Sequence, residues 1–264
     1  MNTSIIEEDK DEAEEIKRGR LPISRLVPNA VTLMALCFGL TSIKLALVGK
    51  WELAVACILI SCFLDGIDGR LARLLNATSP FGAQLDSLSD FVNFGICPAL
   101  ITYLWTIKII PTGNVTWAAV LFYAICCAIR LARFNVSLDT EDEMSAKLNK
   151  MFFIGVPSPT GSLLALLPLM IQFEIGGTFD PKINLCVLVI VGFLMASRVP
   201  TFSGKKIAIN PKMVWLVMLS AGFILGMLIM EPWITISVFL CLYLVTIPFS
   251  IKYYYKIKNS HIHE

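Results

Sequence analysis

Long apolar stretches dominate this chain, and they constrain its fold more than any single motif does. A helix that crosses a lipid bilayer needs about 20 mostly apolar residues, because lipid offers no hydrogen-bond partner to an exposed backbone. The sequence contains eight stretches of about this length, at 28–48, 52–72, 86–107, 115–133, 155–174, 183–200, 213–230 and 232–251. We therefore predict an all-α polytopic membrane protein with about eight transmembrane helices.

The overall composition supports a membrane protein and argues against a nucleic-acid partner. Hydrophobic residues make up 56% of the chain and charged residues only 16%, whereas soluble domains have about 45–50% and about 25%. The formal net charge is +2, and the basic residues form short clusters rather than one stripe. Nucleic-acid binding proteins concentrate positive charge on one face, so we expect no nucleic acid among the partners.

The lysines and arginines indicate how the helices are oriented. If the N-terminus is cytoplasmic, 18 of the 22 basic residues fall in cytoplasmic segments and three fall outside, as the positive-inside rule requires. We therefore expect both termini in the cytoplasm and a place in the cell (inner) membrane. The predicted organisation is a charged cytoplasmic tail at 1–25, a membrane domain at 26–251 and a second cytoplasmic tail at 252–264.

Four aspartates lie where apolar side chains would be expected. Asp65 and Asp68 are three residues apart in the second predicted helix, and Asp86 and Asp90 are four apart at the start of the third. Residues three or four apart share one face of a helix. Because the connecting loop is short, the two helices should run antiparallel and bring both pairs to the same cytoplasmic level.

Carboxylates that meet near hydrocarbon repel one another, and each costs several kcal/mol (order of magnitude) unless it is compensated. They can take up protons, or they can bind divalent metal. Oxygen ligands without histidine or cysteine suit Mg²⁺ or Mn²⁺, and two facing pairs could hold two ions. Helix capping is the structural alternative, and it could explain Asp86 but not Asp65 and Asp68 inside a helix.

Small residues and one arginine accompany the aspartates. A groove along the second helix is expected at the small residues Gly66, Gly69 and Ala72. Gly82, which has no side chain, lies in the loop that faces this groove. Arg73 places a fixed cation at the mouth of this groove, which suits a phosphate. The alternative explanation for the glycines is ordinary helix packing.

The segment from 65 to 90 resembles the CDP-alcohol phosphotransferase family, whose signature is D-x2-D-G-x2-A-R-x8-G-x3-D-x3-D. Every fixed position of that signature is matched, by Asp65, Asp68, Gly69, Ala72, Arg73, Gly82, Asp86 and Asp90. The resemblance implies a six-helix core, here followed by two further C-terminal helices. It also implies transfer of a substituted phosphate from a CDP carrier to an alcohol, with release of CMP.

The resemblance implies roles for individual residues. Asp65, Asp68 and Asp86 would ligate one metal ion, and Asp86 and Asp90 would complete a second site. Asp90 would also be the base that takes the acceptor's hydroxyl proton. The CDP-lipid contacts would be Asn29, Thr32, Gly69, Ala72, Arg73 and Gly82. For Asn29 and Thr32, capping of the first helix remains an alternative.

Later segments resemble the bacterial membrane-integral phosphatidylserine synthases of this family. These segments are SDFVNFGICPA (89–99), RLARFN (130–135), FIGVPSPTG (153–161) and SRVPTFSGKK (197–206). The resemblance implies CDP-diacylglycerol and L-serine as substrates. Arg130, Arg133 and Lys205 are candidates for binding the serine carboxylate or a lipid phosphate, although positive-inside anchoring would also explain the two arginines.

Two other functions stay open at this stage. The same chemistry could use glycerol 3-phosphate or an inositol compound as acceptor. A divalent-cation transporter would instead spread its carboxylates across the membrane depth. We further expect membrane lipids and a second copy of the chain, in a homodimer, as partners.

Overall fold

The computed structural model of the chain describes residues 23–109, 114–139, 152–177, 180–202 and 213–260. Almost all of these residues are helical. The helices in chain order are α1 (Ile23–Leu47), α2 (Trp51–Leu74), α3 (Pro80–Asp90), α4 (Cys97–Ile109), α5 (Asn114–Asp139), α6 (Ser158–Ile175), α7 (Pro181–Ala196), α8 (Val214–Met230) and α9 (Pro232–Ser260).

A π-helical segment, Phe91–Ile96, joins α3 to α4, so these three pieces form one continuous rod. Two short strands, β1 (Phe152–Ile154) and β2 (Pro200–Phe202), pair antiparallel. The part of the chain that the structure describes therefore contains eight helical rods and one small two-stranded sheet. The prediction of an all-α polytopic membrane protein is confirmed.

Five of the rods are long and apolar enough to cross a membrane by length and composition: Leu26–Leu47, Pro80–Lys108, Asn114–Val136, Ser158–Ile175 and Pro232–Tyr254. The helices α7 and α8 are also apolar but shorter, with 16 and 17 residues. The 24-residue α2 is long enough, but charged side chains interrupt its C-terminal half. Those charges belong to the candidate site described below.

Local sequence accounts for several helix boundaries. Proline begins α3, α7 and α9, where its missing N–H costs little. Ser79 caps α3 by accepting a hydrogen bond of 3.0 Å from the N–H of Gly82. Gly176 ends α6 with a φ of 67°, a left-handed conformation that glycine adopts without steric cost.

Several observed boundaries differ from those expected, among them the ends of α5 at Asp139 rather than residue 133 and of α7 at Ala196 rather than residue 200. The first helix begins at Ile23 rather than residue 28, so Pro28 lies inside it. The third rod begins at Pro80 rather than residue 86, because Ser79 supplies a cap upstream of the apolar stretch. The last helix continues to Ser260 rather than residue 251, because backbone hydrogen bonds can extend a helix beyond the end of its apolar stretch. The proposed tail at 1–25 lies almost wholly outside the described residues.

The helices alternate in direction, so one end of the molecule collects the end of α2, the start of α3, the end of α5 and the start of α6. The two-stranded sheet lies at this same end, because β1 leads into α6 and β2 follows α7. The core between the rods contains buried side chains such as Tyr123, Phe94 and Met170. This end of the bundle carries the candidate site.

The opposite end carries a cluster of aromatic side chains. Trp51 and Trp105 meet edge to face with centroids 5.0 Å apart, and Phe173 and Trp233 do the same at 5.3 Å. The Lys108 ammonium lies 5.5 Å from the Trp51 ring centroid. Aromatic rings of this kind concentrate at membrane–water interfaces. The cluster is therefore typical of a membrane boundary, at the end of the bundle opposite the candidate site.

The last two rods are peripheral. The helix α8 has no buried residue and packs mainly on α9, whereas α9 lies against α6 and β2. A helix that is apolar on all sides and has no protein cover is suited to contact with lipid. The first six rods form the packed core, and α9 is attached to it along one face.

Candidate active site and metal centre

Three aspartates from α2 and α3 converge at the end of the bundle where these helices meet. One carboxylate oxygen from each of Asp65, Asp68 and Asp86 lies within 4.8 Å of the others. Asp68 is 4% exposed, and the other two are half-buried. Three oxygen ligands at this separation, without histidine or cysteine among them, fit a hard divalent cation. The acidic cluster can therefore hold a metal ion.

Asp90 lies next to this cluster, one helical turn beyond Asp86. Its carboxyl group is at hydrogen-bonding distance from that of Asp65. Two carboxylates so close repel each other unless a proton or a cation lies between them. The four aspartates thus form one connected acidic site, with Asp90 at the side that faces α5.

Thr32 links the first helix to this cluster. Its hydroxyl donates a hydrogen bond of 2.7 Å to Oδ2 of Asp68, and the carbonyl of Pro28 lies 3.2 Å from the same hydroxyl oxygen. Both Asn29 and Thr32 lie inside α1, which begins at Ile23, so neither caps that helix. The structure places Thr32 as a partner of a carboxylate in the acidic cluster, and its contact with a nucleotide stays a prediction.

A polar face continues from the aspartates into the π-helical segment. Ser89 donates a hydrogen bond of 3.4 Å to the carbonyl of Thr32, and Nδ2 of Asn93 donates one of 3.1 Å to the Ser89 hydroxyl. Asn93 is 1% exposed. π-helical turns occur often at functional sites. Here the turn lets polar groups of the third rod face α1 just beyond Asp90.

Gly82 permits a close approach between α1 and the start of α3. A Cβ atom at this position would lie 2.9 Å from Oδ1 of Asn29 and 3.2 Å from the Ser79 hydroxyl. Any side chain larger than hydrogen would therefore displace Asn29 or the cap of α3. Asn29 and Gly82, which are 53 positions apart in the sequence, come together beside the acidic cluster.

Arg73 lies near the C-terminal end of α2 and is exposed. Its Nε donates a hydrogen bond of 3.1 Å to the carbonyl of Gly69. At Gly69 and Gly66 an added Cβ would meet no atom closer than 4.0 Å, so the backbone of α2 is open along this side. The surface of α2 beside Arg73 is therefore uncovered, and a groove there that binds CDP stays a prediction.

Arg130 brings a positive charge to the acidic site from α5. It interacts electrostatically with both Asp65 and Asp90, and its Nη1 donates a hydrogen bond to the hydroxyl of Ser158 at the start of α6. Its Nε is buried and has no hydrogen-bond partner among the described residues. Arg130 is therefore the candidate acceptor-site arginine that lies closest to the aspartates.

Arg133 lies one helical turn further along α5 and contacts a different element. Its Nη2 donates hydrogen bonds of 2.5 Å to the carbonyl of Ala196 and 3.4 Å to that of Met195. These carbonyls end α7, where a cation is favourable. The third candidate for acceptor binding, Lys205, lies outside the described residues, so the structure does not locate it.

Several residues of the site escaped the sequence analysis. Ser89 and Asn93 follow Asp86 by three and seven positions, so a helical wheel would have placed them on its face. Ser158 lies in the segment 153–161, whose pattern indicates only a resemblance to the phosphatidylserine synthases. Tyr243 lies in α9 and also interacts electrostatically with Arg130. Nothing in its apolar surroundings in the sequence indicated this.

Comparison with known proteins gives a consistent result. The model of the CDP-alcohol phosphatidyltransferase family matches residues 25–196. That range ends with α7, so the match covers the first six rods and leaves α8 and α9 outside.

Curated relatives extend the similarity over most of the chain. A Mycobacterium leprae protein is 36% identical over 230 residues, which are 86% of this chain and 75% of the relative. A Helicobacter pylori protein is 37% identical over 226 residues, or 83% and 88% of the two chains. A Bacillus subtilis protein is 33% identical over 184 residues, or 68% and 92%. All three carry the name CDP-diacylglycerol–serine O-phosphatidyltransferase.

The aspartates that match the family signature converge in three dimensions, and the family match spans the helices that carry them. On these grounds the chain belongs to the CDP-alcohol phosphatidyltransferase family.

Proposed function

We propose that the protein transfers the phosphatidyl group of CDP-diacylglycerol to the hydroxyl of L-serine, giving phosphatidylserine and CMP. The observation that carries this proposal is the convergence of Asp65, Asp68 and Asp86 within 4.8 Å at one end of the bundle. Support for serine as the acceptor comes from the names of the relatives. Arg130 beside Asp90 also fits an acceptor with a carboxylate.

The metal ions we propose are Mg²⁺ or Mn²⁺, two per chain. The cluster of Asp65, Asp68 and Asp86 would hold one ion, and Asp86 with Asp90 would hold the other. Bound divalent ions would neutralise charge on the diphosphate and on the leaving CMP. Thr32 supports this arrangement because its hydroxyl holds one oxygen of Asp68 in place.

The residues of the chain have distinct roles in the proposed reaction. Arg73 binds the diphosphate of the CDP-lipid in the open groove along Gly69 and Ala72, while Asn29, Thr32 and Gly82 line its far side. Asp90 takes the proton of the serine hydroxyl. The serine oxygen then forms a bond to the phosphorus that bears diacylglycerol, and the bond from that phosphorus to the CMP oxygen breaks.

The acceptor must be bound close to Asp90, and Arg130 is suited to that task. Its side chain adjoins both Asp90 and the start of α6, so a carboxylate bound there would place an amino acid beside the base. Arg133 donates to the end of α7, and we propose that it supports this region. Lys205 remains a candidate for a lipid phosphate.

We further propose that the site faces the cytoplasm, that both termini are cytoplasmic and that the protein is a homodimer in the cell membrane. The basic residues support this orientation. A fluorescent-protein fusion at the C-terminus would fluoresce if that end is cytoplasmic, and a periplasmic phosphatase fusion there would be inactive. Crosslinking in native membranes would give a band of twice the monomer mass.

The direct test is an acceptor assay on the full-length protein in liposomes that contain CDP-diacylglycerol and Mn²⁺. L-serine, glycerol 3-phosphate and inositol are supplied one at a time, and lipid products are identified by mass spectrometry. We expect phosphatidylserine and CMP in equal amounts, and no product after chelation with EDTA. Formation of another phospholipid in place of phosphatidylserine would show that the acceptor is wrong but the chemistry is right.

The same liposomes test the transporter alternative. A transporter requires polar groups along the membrane depth, whereas the three clustered aspartates lie together at one end of the bundle. We therefore expect no Mn²⁺ flux into liposomes that lack CDP-diacylglycerol. Flux without the nucleotide-lipid, together with no phospholipid product, would contradict the enzymatic function.

A further inference from the structure

Three buried polar atoms on the side of the acidic site that faces α5 have no hydrogen-bond partner among the described residues. They are Nε of Arg130, Nε of Arg133 and the hydroxyl of Tyr243. A buried polar group without a partner costs about 1–3 kcal/mol, so such groups are rarely left unpaired in native proteins. Three of them in one region provide unused hydrogen-bonding capacity for a polar ligand.

Tyr243 comes from a part of the chain that the family match does not cover. It lies in α9, whereas the match ends at residue 196. The helix α9 packs on α6 and on β2, and this contact brings Tyr243 beside Thr201. The hydroxyl of Thr201 already donates a hydrogen bond of 3.0 Å to the carbonyl of Gly155. The hydroxyl groups of Tyr243 and Thr201 lie close enough to interact, but no described residue accepts the Tyr243 O–H, so this donor is available to a ligand.

The surroundings of this hydroxyl favour an anion. Arg130 interacts electrostatically with Tyr243 on one side and with Asp90 on the other. Ser158, which is fully buried, begins the 18-residue α6 here, and the start of a helix carries partial positive charge. A small carboxylate bound at Arg130 would therefore lie between the tyrosine hydroxyl and the base.

We propose that Tyr243 is a specificity-determining residue, whose hydroxyl donates a hydrogen bond to the carboxylate of an amino-acid acceptor bound at Arg130. The C-terminal helix α9 then completes the acceptor pocket of the six-helix core. This inference rests on the proposed function, because it takes serine as the acceptor. It adds a determinant of acceptor choice that lies outside the family's common segment.

The test compares the wild type with Tyr243→Phe in the full-length protein in liposomes. The substitution removes one hydroxyl and keeps the ring, so the packing of α9 is preserved. We expect KM for L-serine to rise about tenfold, as for loss of a hydrogen bond to a charged group. We expect kcat to change less than about twofold, with no change in KM for CDP-diacylglycerol. Tyr103→Phe is the matched control, because Tyr103 packs on Trp117 in the distant half of the bundle.

A second acceptor separates recognition from a structural effect. Serinol retains the amine and hydroxyl of serine but has no carboxylate, so it should bind wild type and Tyr243→Phe equally weakly. Tyr243→Gln, which restores an N–H donor, should recover part of the affinity for serine. A KM for serine equal to that of the wild type, or equal losses with serine and serinol, would overturn the proposal.

The proposed function is tested separately by the wild type. If the wild type makes no phosphatidylserine, the proposed function fails, whatever the variant does. If it makes phosphatidylserine and Tyr243→Phe keeps the same KM for serine, only the role of Tyr243 fails. A thermal-melting comparison of the two proteins shows whether Tyr243→Phe is folded. If it is not, Tyr243→Leu, which also lacks the hydroxyl, gives the same comparison of serine and serinol.

Discussion

Thr32 on α1 donates a hydrogen bond of 2.7 Å to Oδ2 of Asp68 on α2, across 36 positions of sequence. Both side chains are buried. The bond fixes the orientation of a carboxylate that we assign to the metal site. Partners of metal ligands of this kind commonly contribute 10–100-fold (order of magnitude) to metal affinity or activity.

The first prediction follows from this bond. Thr32→Val keeps the shape of the side chain and removes the donor, so the Mn²⁺ concentration for half-maximal activity should rise about tenfold or more. Thr32→Ser keeps a hydroxyl and should remain close to wild type. The control is Thr41→Val, because the Thr41 hydroxyl bonds only within α1, to the carbonyl of Cys37 at 2.7 Å. An unchanged Mn²⁺ titration for Thr32→Val would remove Thr32 from the support of the metal site.

The second prediction concerns Asp90 as the base. Asp90→Asn preserves the size of the side chain and its contact with Asp65, but it cannot accept the serine proton. The rate of phosphatidylserine formation should fall by about 10²–10⁴-fold, while CDP-diacylglycerol binding changes little. Radiolabelled serine incorporation and binding of a fluorescent CDP-lipid measure the two effects.

Glu52→Gln is the control for Asp90→Asn. It removes one negative charge from the start of α2, at the end of the bundle away from the aspartates, and should leave the rate unchanged. Serine incorporation by Asp90→Asn at a rate comparable to wild type would show that another group takes the proton.

The third prediction tests Arg73 against its neighbour on α2. Arg73→Gln removes the cation proposed to bind the diphosphate, so KM for CDP-diacylglycerol should rise about tenfold. KM for serine should stay the same. Arg70→Gln removes an equally exposed arginine three positions earlier and should have no such effect. Equal changes in the two variants would indicate that total charge at the membrane surface, rather than a specific contact, matters.

The fourth prediction concerns the contact between α1 and the π-helical segment. Replacing a helix glycine with alanine usually stabilises a protein by about 0.5–1 kcal/mol. At Gly39, however, a Cβ atom would overlap Oδ1 of Asn93 and lie 2.9 Å from its Cγ. Overpacking of this kind costs about 1–3 kcal/mol, and the displaced Asn93 would lose its bond to Ser89. Gly39→Ala should therefore lower both the melting temperature and the activity.

Gly222→Ala provides the control for this contact, because a Cβ at Gly222 would meet nothing within 4 Å. Its melting temperature should be equal to or above that of the wild type. A Gly39→Ala protein as stable as Gly222→Ala would show that the third rod can move away from α1 without loss.

The fold was largely predictable because its strongest signals are local. Each apolar stretch of about 20 residues has few alternatives to a transmembrane helix, and the eight rods follow from that. The spacing of the aspartates also fixed which of them share a helix face. The starts of α1 at Ile23 and of α3 at Pro80 were not predicted. Both helices begin several residues before the apolar stretch from which the prediction was made.

The partners of the site residues could not be predicted in this way. Spacing assigned Arg130 and Arg133 to one region of α5. In the structure, Arg130 reaches Asp90 and Ser158, whereas Arg133 donates to the end of α7. The rotation and depth of each helix against its neighbours decide such contacts, and these depend on how all the rods pack.

The sequence by itself therefore determined the helices, the acidic signature and the end of the bundle where the signature must lie. Tertiary structure alone decided that Thr32 supports Asp68 and that Tyr243, from the last helix, approaches Arg130. The physical reason is one of range. Hydrophobicity and helical periodicity act over a few neighbouring residues, whereas these contacts join helices distant in the chain and arise only when their packed surfaces fit together.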